Sequence, residues 1–490
     1  MLDTLPAASF VQIGVCIALT AAVALATWAK LRRARHDGSR KDVFLAGGGL
    51  SWVFVAGSIT LTNLSTDQLV GMNGNQMALL AWWEIAGFAG LLILAFVFVP
   101  IYYREGCTTV TELLEKRYGG RSIRTLISGL FLAGNVLIYL PAALYSGSLF
   151  MQSLFGQGVP LMVFAAILAV IAAAYTILGG LRAVAVMDTY SGFGILGLAL
   201  LIVVLALAAV DWDIVSGLPP ERLTMIGAAD SPIPFHTLFT GMIFIQIFYW
   251  STNQNLTQKA MAAPSVREAQ KGVIAAAIIR ILIVPPIVVI PGIVAFKLFG
   301  QVGDKAYGML VAQILPPWLS GAFAAMVAAA VVTTFSAVLN SSVALYAVDF
   351  HEQFVGEVKD HWRLAAAVSV LLTISAIALV PLYQSATSII NLLQQLNGLL
   401  SMPILSAFIA GLMFRGVSAG AAIAGVVWGV ALYGAFTFRL QPAGIIPMHY
   451  IDFMVVTLVT SVLAALGANR VMGGRARFAP FWLRSRDAAA

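Results

Sequence analysis

The chain has 490 residues, of which 60% are hydrophobic and only 10% carry a charge. Because soluble domains carry roughly 25% charged residues, this composition excludes a soluble globular protein and predicts a multi-pass membrane protein. The formal net charge of +7 follows from the membrane topology described next, so we do not expect nucleic-acid binding. The two cysteines, Cys16 and Cys107, have no metal-ligand spacing, which argues against a disulfide framework and a zinc site. No phosphate-binding GxxxxGK[ST] loop occurs, which argues against ATP hydrolysis.

Apolar segments of about 20 residues, the length that crosses a bilayer, recur along the chain and leave no separate soluble domain. They predict thirteen spans, centred near residues 19, 63, 91, 138, 169, 197, 245, 284, 331, 371, 399, 427 and 460. The first span is followed by a basic stretch at residues 30–41, so the N-terminus is predicted outside. With that orientation nearly all Lys and Arg residues are predicted on the cytoplasmic side. The exceptions are Arg222, Lys297, Lys305 and Arg439, predicted outside, and Arg280, predicted within a span. This positive-inside bias places the C-terminus in the cytoplasm.

Two apolar segments are interrupted by polar residues midway. They are Ala56 to Gly74, with polar residues between Thr62 and Gln68, and Ile245 to Gln258, with polar residues from Ser251 to Asn255. Backbone that is not helical is tolerated at membrane depth only where it lines a cavity or holds an ion. Paired interruptions in two halves of a chain are typical of a transporter's midplane site, and this is our working hypothesis.

Besides Asp67 in the first interruption, three ionisable residues fall inside predicted spans, where each is costly. Glu84 is predicted to face a cavity or a partner, unless it lies at the outer interface. Arg280 could pair with Glu84 or Asp67, or donate to a bound solute, and the sequence does not rank these alternatives. Asp188 could attract a departing cation, cap a nearby helix end or pair with Arg182.

Shorter signals lie between these segments and after them. Thr109 to Glu112 predicts a capped short helix, and Gly179 with Gly180 predicts a tight turn. Ala330, Thr333 and Thr334 share one helical face, which favours either oxygen ligands for a monovalent cation or hydroxyls bonded back to their own helix. The last two spans, after Arg415, are apolar and are predicted to be peripheral.

Four separated motifs carry a family resemblance. LTNLSTDQLVGMNG, YTILGGLRAV followed by Asp188, FYWSTNQNLTQKAMAAPSVREAQKG and AAAVVTTFSAVLNS occur in family order and resemble the sodium/solute symporter family, most of all its sodium/glucose-type branch. The resemblance implies an all-α LeuT-type fold with five plus five helices in inverted repeat. It also implies one extra helix at about 10–42, a core at about 43–414, and two peripheral helices with a basic tail at about 415–490.

The resemblance also implies site residues. Sodium is expected to bind the backbone oxygens of Leu61, Leu64 and Ala330 and the hydroxyls of Thr333 and Thr334. The residues expected to contact solute are Gln68, Glu84, Asn253, Arg280 and Gln394. Expected gate positions are Met72, Asn255 and Ile390, and Asp188 is expected on the ion release path. The chain departs from the pattern at Arg280, Asn255, Ile390 and Tyr139, where sugar-transporting relatives carry lysine, tyrosine, another aromatic residue and asparagine.

The function implied is uptake of a small polyhydroxy solute, expected to be a monosaccharide, driven by sodium entry across a bacterial inner membrane. Such a carrier performs no covalent chemistry, so no enzyme activity is expected, and no obligate protein partner is evident. One alternative is a sodium-coupled carboxylate or amino-acid carrier in which Arg280 holds the carboxylate, although Glu84 would repel an anion. The other is a solute sensor without net transport.

Overall fold

The computed structural model describes residues 10–31, 45, 48–156, 158–358, 360–384 and 388–480. Residues 32–44, 46 and 47, which include most of the basic stretch at 30–41, lie outside the described residues. The principal helices in chain order are α1 (Phe10–Leu31), α2 (Trp52–Asn63), α3 (Thr66–Asn75), α4 (Ala78–Glu105), α5 (Val110–Tyr118), α6 (Arg121–Phe155), α7 (Leu161–Gly180), α8 (Val184–Ala208), α9 (Gly241–Ile247), α10 (Gln254–Met261), α11 (Val266–Phe299), α12 (Ala306–Ile314), α13 (Pro317–Phe354), α14 (His361–Tyr383), α15 (Ile389–Met413), α16 (Ala419–Leu440) and α17 (Tyr450–Val471).

Within the described residues, eleven helices are long and apolar enough to cross a membrane. They coincide with eleven of the predicted spans. The other two predicted spans each consist of two short helices in line, α2 with α3 and α9 with α10. A two-residue strand, Phe414–Arg415, pairs antiparallel with Arg477–Phe478, with Phe414 opposite Phe478.

Both predicted interruptions are breaks in the structure. After α2, Leu64 has φ −76° and ψ 59°, which is not helical, and Ser65 is extended before α3 begins. In the second segment a π-helical turn at Phe248–Thr252 ends at Asn253, whose φ of −80° and ψ of 123° stop the helix. The Asn253 side chain then caps α10 by accepting a hydrogen bond from the Asn255 amide at 3.0 Å. The freed backbone groups at both breaks lie in the protein interior, as a break in a membrane helix requires.

Helix packing places the first break at the centre of the molecule. The half α2 packs against α8, α10, α11 and α13, while the half α3 packs against α6, α11 and α15. Gly292 of α11 allows close contact with α3, because a Cβ there would lie 2.3 Å from the Asn73 carbonyl oxygen. The last two helices, α16 and α17, pack mainly against each other and α15.

Local predictions between the spans are also confirmed. Helix α5 begins after Thr109, which forms a capping box with Glu112. Gly180 has φ 52° and ψ −153°, so it turns the chain between α7 and α8.

Candidate functional site

A small central cavity lies beside the two breaks. Its volume is about 60 Å³, well below the roughly 300 to 1,000 Å³ of typical ligand pockets. The residues that line it are Asn63, Asp67, Gln68, Trp83, Tyr139, Ile245, Gln246, Tyr249, Trp250, Ile390, Leu393, Gln394 and Asn397. The lining therefore combines amides and hydroxyls with two indoles, and of these described residues Asp67 alone is charged.

Glu84 and Arg280 form an ion pair directly behind this cavity. Their side chains are 0% and 1% exposed, and neither lines the cavity itself. The structure therefore selects the pairing with Glu84 among the alternatives left open for Arg280. The guanidinium also donates to the Gln68 Oε1 at 3.4 Å and stacks over the Trp250 ring at 4.8 Å. The pair thus orients two side chains that do line the cavity.

Asn63 joins this group, although the sequence analysis assigned it no role. In the orientation that satisfies both ends of its side-chain amide, its oxygen accepts from Gln68 Nε2 and Arg280 Nη1, each at 3.0 Å. Its nitrogen then donates to the Tyr249 hydroxyl at 2.7 Å. The only sequence signal for this role was its place at the edge of the first interruption.

The remaining predicted solute and gate residues do not all lie at the central cavity. Gln394 and Ile390 line the central cavity, whereas Met72 is fully buried in α3 and does not. Asn253 is occupied as the cap of α10. Asn255 donates to the Asn135 Oδ1 at 3.3 Å and lines a second, smaller cavity.

Of the five predicted sodium ligands, Thr334 lines this second cavity. Its volume is about 30 Å³, and Thr334 lines it together with Ser65 and Asp67. On the same face of α13, Thr333 donates to the Ala330 carbonyl at 3.2 Å, which is the helix-bonded arrangement considered as an alternative. The break after α2 supplies non-helical backbone at Leu64, and α2, which includes Leu61, packs against α13.

Asp188 is buried in an ion pair that the sequence analysis missed. It accepts from Lys259 Nζ at 3.1 Å and from the Ser58 hydroxyl at 2.7 Å. The positive-inside count assigned Lys259 to a cytoplasmic loop, but its side chain is 0% exposed, because α10 continues the broken span inward. The apolar residues Ala260 and Met261, which follow Lys259 in the chain, were the sequence signal for its burial.

A partly buried carboxyl lies in the loop between α11 and α12, outside the spans. Asp304 accepts the Ile389 backbone amide at 2.8 Å with Oδ2, at the start of α15. Its Oδ1 has no hydrogen-bond partner and lies against Gly74, where an added Cβ would be 2.5 Å away. Burial raises the pKa of this carboxyl to about 7, and the Ile389 amide offsets part of that rise.

Among the described residues, two broken helices around a central cavity and eleven long apolar helices define a multi-pass membrane protein of the LeuT fold. Solved structures with the same fold include a Na+-coupled sialic acid symporter in a substrate-bound outward-open state, with a TM-score of 0.79, 18% identity and coverage of 96% of this chain and 99% of that one. MhsT in complex with L-phenylalanine has a TM-score of 0.52 and 14% identity, covering 84% of this chain and 96% of that one.

The chain belongs to the sodium:solute symporter family, whose model matches residues 43–429. It is 31% identical to the uncharacterized symporter YidK of Escherichia coli (strain K12), over 92% of this chain and 82% of that protein. It is 28% identical to the sodium/glucose cotransporter of Vibrio parahaemolyticus, over 93% and 89%, and 27% identical to the sodium/myo-inositol cotransporter 2 of Mus musculus, over 91% and 74%. The protein is therefore a sodium-coupled solute transporter and not an enzyme, and sodium is its coupling ion.

Proposed function

We propose that this transporter carries a small polyhydroxy solute, a monosaccharide or a closely similar polyol, into a bacterial cell across the inner membrane. The observation that carries the proposal is the lining of the central cavity, where Gln68, Gln394, Asn397 and Tyr139 present amides and a hydroxyl. An amide both donates and accepts hydrogen bonds, as a sugar hydroxyl does. Relatives named for glucose and myo-inositol support the same solute class.

The charge of the site argues against the carboxylate or amino-acid alternative. Arg280 is paired with Glu84 and does not line the cavity, so its guanidinium is not available to an incoming carboxylate in this arrangement. Asp67, which does line the cavity, would repel an anion in a medium of low dielectric constant. A neutral solute meets neither obstacle.

Uptake by this site requires movement of the helices around it. A cavity of about 60 Å³ has no room for a six-carbon sugar, so α3 and α15 on one side or α10 on the other must separate to admit or release one. Sodium is proposed to bind Leu61, Leu64, Ala330, Thr333 and Thr334, where the break in the first span meets α13. This position lets the ion hold α2 against α13 while solute binds nearby.

A substrate panel in proteoliposomes tests the proposal. The purified protein is reconstituted into proteoliposomes and an inward sodium gradient is imposed. The compounds then added are galactose, glucose, fructose, myo-inositol, an aliphatic carboxylate and a neutral amino acid. We expect a sodium-dependent inward current with at least one polyhydroxy compound and none with the carboxylate. Current with the carboxylate or the amino acid alone would replace the proposal by the alternative carrier. Solute binding without any current under all gradients would favour the sensor.

A further inference from the structure

We propose that a groove on the membrane-facing surface binds one acyl chain of an anionic phospholipid. The groove lies between α2, α8 and α11 and has a volume of about 190 Å³. None of the described residues that line it lines the central cavity. The proposal therefore depends neither on the solute nor on the sodium ligands proposed above.

The groove exists because small residues of three helices meet there. Ala56 and Gly57 of α2, Gly192 of α8 and Ala275 of α11 line it, and none of them carries a side chain large enough to fill the space. Atoms that line an unfilled space lose dispersion contacts. The groove is therefore more stable with an apolar occupant than without one.

The groove opens to the lipid rather than to water. Two of its lining residues, Trp52 and Phe193, are 42% and 72% exposed, and α8 and α11 are long apolar helices of the membrane-spanning kind. Leu282 of α11, farther along that helix, is likewise exposed. Apolar cavities do not hold water, so the available occupant at this depth is the hydrocarbon of the bilayer.

The shape of the groove suits an extended chain. It reaches from Trp52 in the first turn of α2 to Thr60, eight positions further, which is about 12 Å along a helix. Thr60 is buried, and its hydroxyl has no hydrogen-bond partner among the described residues. A polar ligand would therefore find at most this hydroxyl and the Trp52 indole among the lining side chains, whereas an acyl chain needs neither.

Charged residues at the start of α11 favour an anionic head group. The Trp52 amide donates to the Glu268 carboxylate at 3.3 Å, and Glu268 is paired with Lys271 at 2.9 Å. Arg267 precedes Glu268 in the chain and is exposed. These two cations and one carboxylate carry a net charge of +1 beside the Trp52 end of the groove. A basic residue near the membrane surface attracts anionic lipid by about 1 kcal/mol.

An occupant of this groove acts on the first broken span. One wall of the groove belongs to the half-helix α2, and the other walls belong to α8 and α11. A chain that fits the present spacing of these helices binds less well when the spacing changes. The bound lipid therefore favours the arrangement in which α2 lies against α8 and α11.

Phosphatidylglycerol is the probe for the test. The purified full-length chain is delipidated in detergent, the lipid is added back, and native mass spectrometry counts the bound molecules over a titration. We expect one phosphatidylglycerol that binds more tightly than the rest. Ala275→Leu places a larger side chain in the groove and should weaken this binding at least about ten-fold. Ala174→Leu is the matched control, because Ala174 is exposed on α7, and it should bind as the wild type does.

A second lipid separates the head group from the acyl chain. Phosphatidylcholine with the same chains has no net charge, so we expect it to bind this site at least about three-fold more weakly than phosphatidylglycerol. Arg267→Gln combined with Lys271→Gln should remove that difference. Equal binding of the two lipids by the wild type would overturn the assignment of an anionic head group.

Three results would overturn the groove itself as the site. The first is a wild type in which no lipid binds more tightly than the rest. The second is unchanged binding in Ala275→Leu. The third is loss of the tight lipid in Thr60→Val, which would mean that a polar part of the lipid reaches the Thr60 hydroxyl. If Ala275→Leu does not fold, Phe193→Ala replaces it, because this side chain is 72% exposed. That variant removes one wall and should weaken binding at least about three-fold, and an unchanged titration would contradict the proposal.

Discussion

Removing one member of the buried ion pair between Glu84 and Arg280 should cost at least as much stability as removing both of its members. The two side chains are 0% and 1% exposed, so removing one partner leaves the other charge in a dry interior. Such a loss typically costs about 3 to 5 kcal/mol, whereas replacing both charges is often nearly neutral. We therefore expect Glu84→Gln alone and Arg280→Met alone each to lower the free energy of unfolding by about 3 kcal/mol or more. The double variant should lose no more than one single variant does. The coupling energy is then about 3 kcal/mol or more.

The measurement is reversible unfolding of the purified variants in mixed micelles, followed by tryptophan fluorescence. A matched control is the exposed pair of Lys271 with Glu268, which lie 2.9 Å apart with side chains 49% and 26% exposed. A surface pair of this kind contributes about 0 to 1 kcal/mol. If the coupling between Glu84 and Arg280 is no larger than that of the control pair, the interior does not isolate these charges from water. The reasoning about their role behind the cavity would then fail.

Other outcomes follow from the same structure. Because the pKa of Asp304 is raised to about 7, the wild type should lose stability as the pH rises from about 4 to about 7. Asp304→Asn should therefore increase the free energy of unfolding more at pH 8 than at pH 5, by at most about 4 kcal/mol, and equal shifts of the thermal midpoint at both pH values would refute the raised pKa. Thr333→Val with Thr334→Val should remove the sodium-dependent gain in solute affinity while leaving affinity without sodium nearly unchanged, as equilibrium binding with and without sodium would show. Gln394→Leu should weaken binding of the solute found in the panel about ten-fold at unaltered sodium binding, and unchanged solute affinity would exclude Gln394 from the contact.

The breaks and the spans could be predicted because their causes are local. Apolar length decides which segments cross a membrane, and polar residues such as Asn63 and Ser251 mark where a span cannot stay regular. The cap at Thr109 with Glu112 and the turn at Gly180 likewise depend on neighbours along the chain. Such features need no knowledge of which helix packs against which.

Tertiary partners could not be predicted in the same way. Glu84 and Arg280 are separated by 196 positions, and the sequence left at least two partners open for Arg280. Lys259 was assigned to a loop because charge counts follow the chain and not the burial of α10. The division of the polar interior into two cavities depends on Tyr139 and Leu393, whose positions are set by the packing of α6 and α15. Only a three-dimensional arrangement supplies this information.

The distribution of buried charge connects these findings to transport. Glu84 and Asp188 are neutralised by cations on other helices, so these pairs contribute no net charge in any state that keeps them intact. The net charge of the site then depends on Asp67 and on the ions that bind. With the one proposed sodium ion bound the site is neutral, and without it the site is negative. A membrane potential contributes about 2.3 kcal/mol per elementary charge per 100 mV, so an inside-negative potential favours outward return of the empty site.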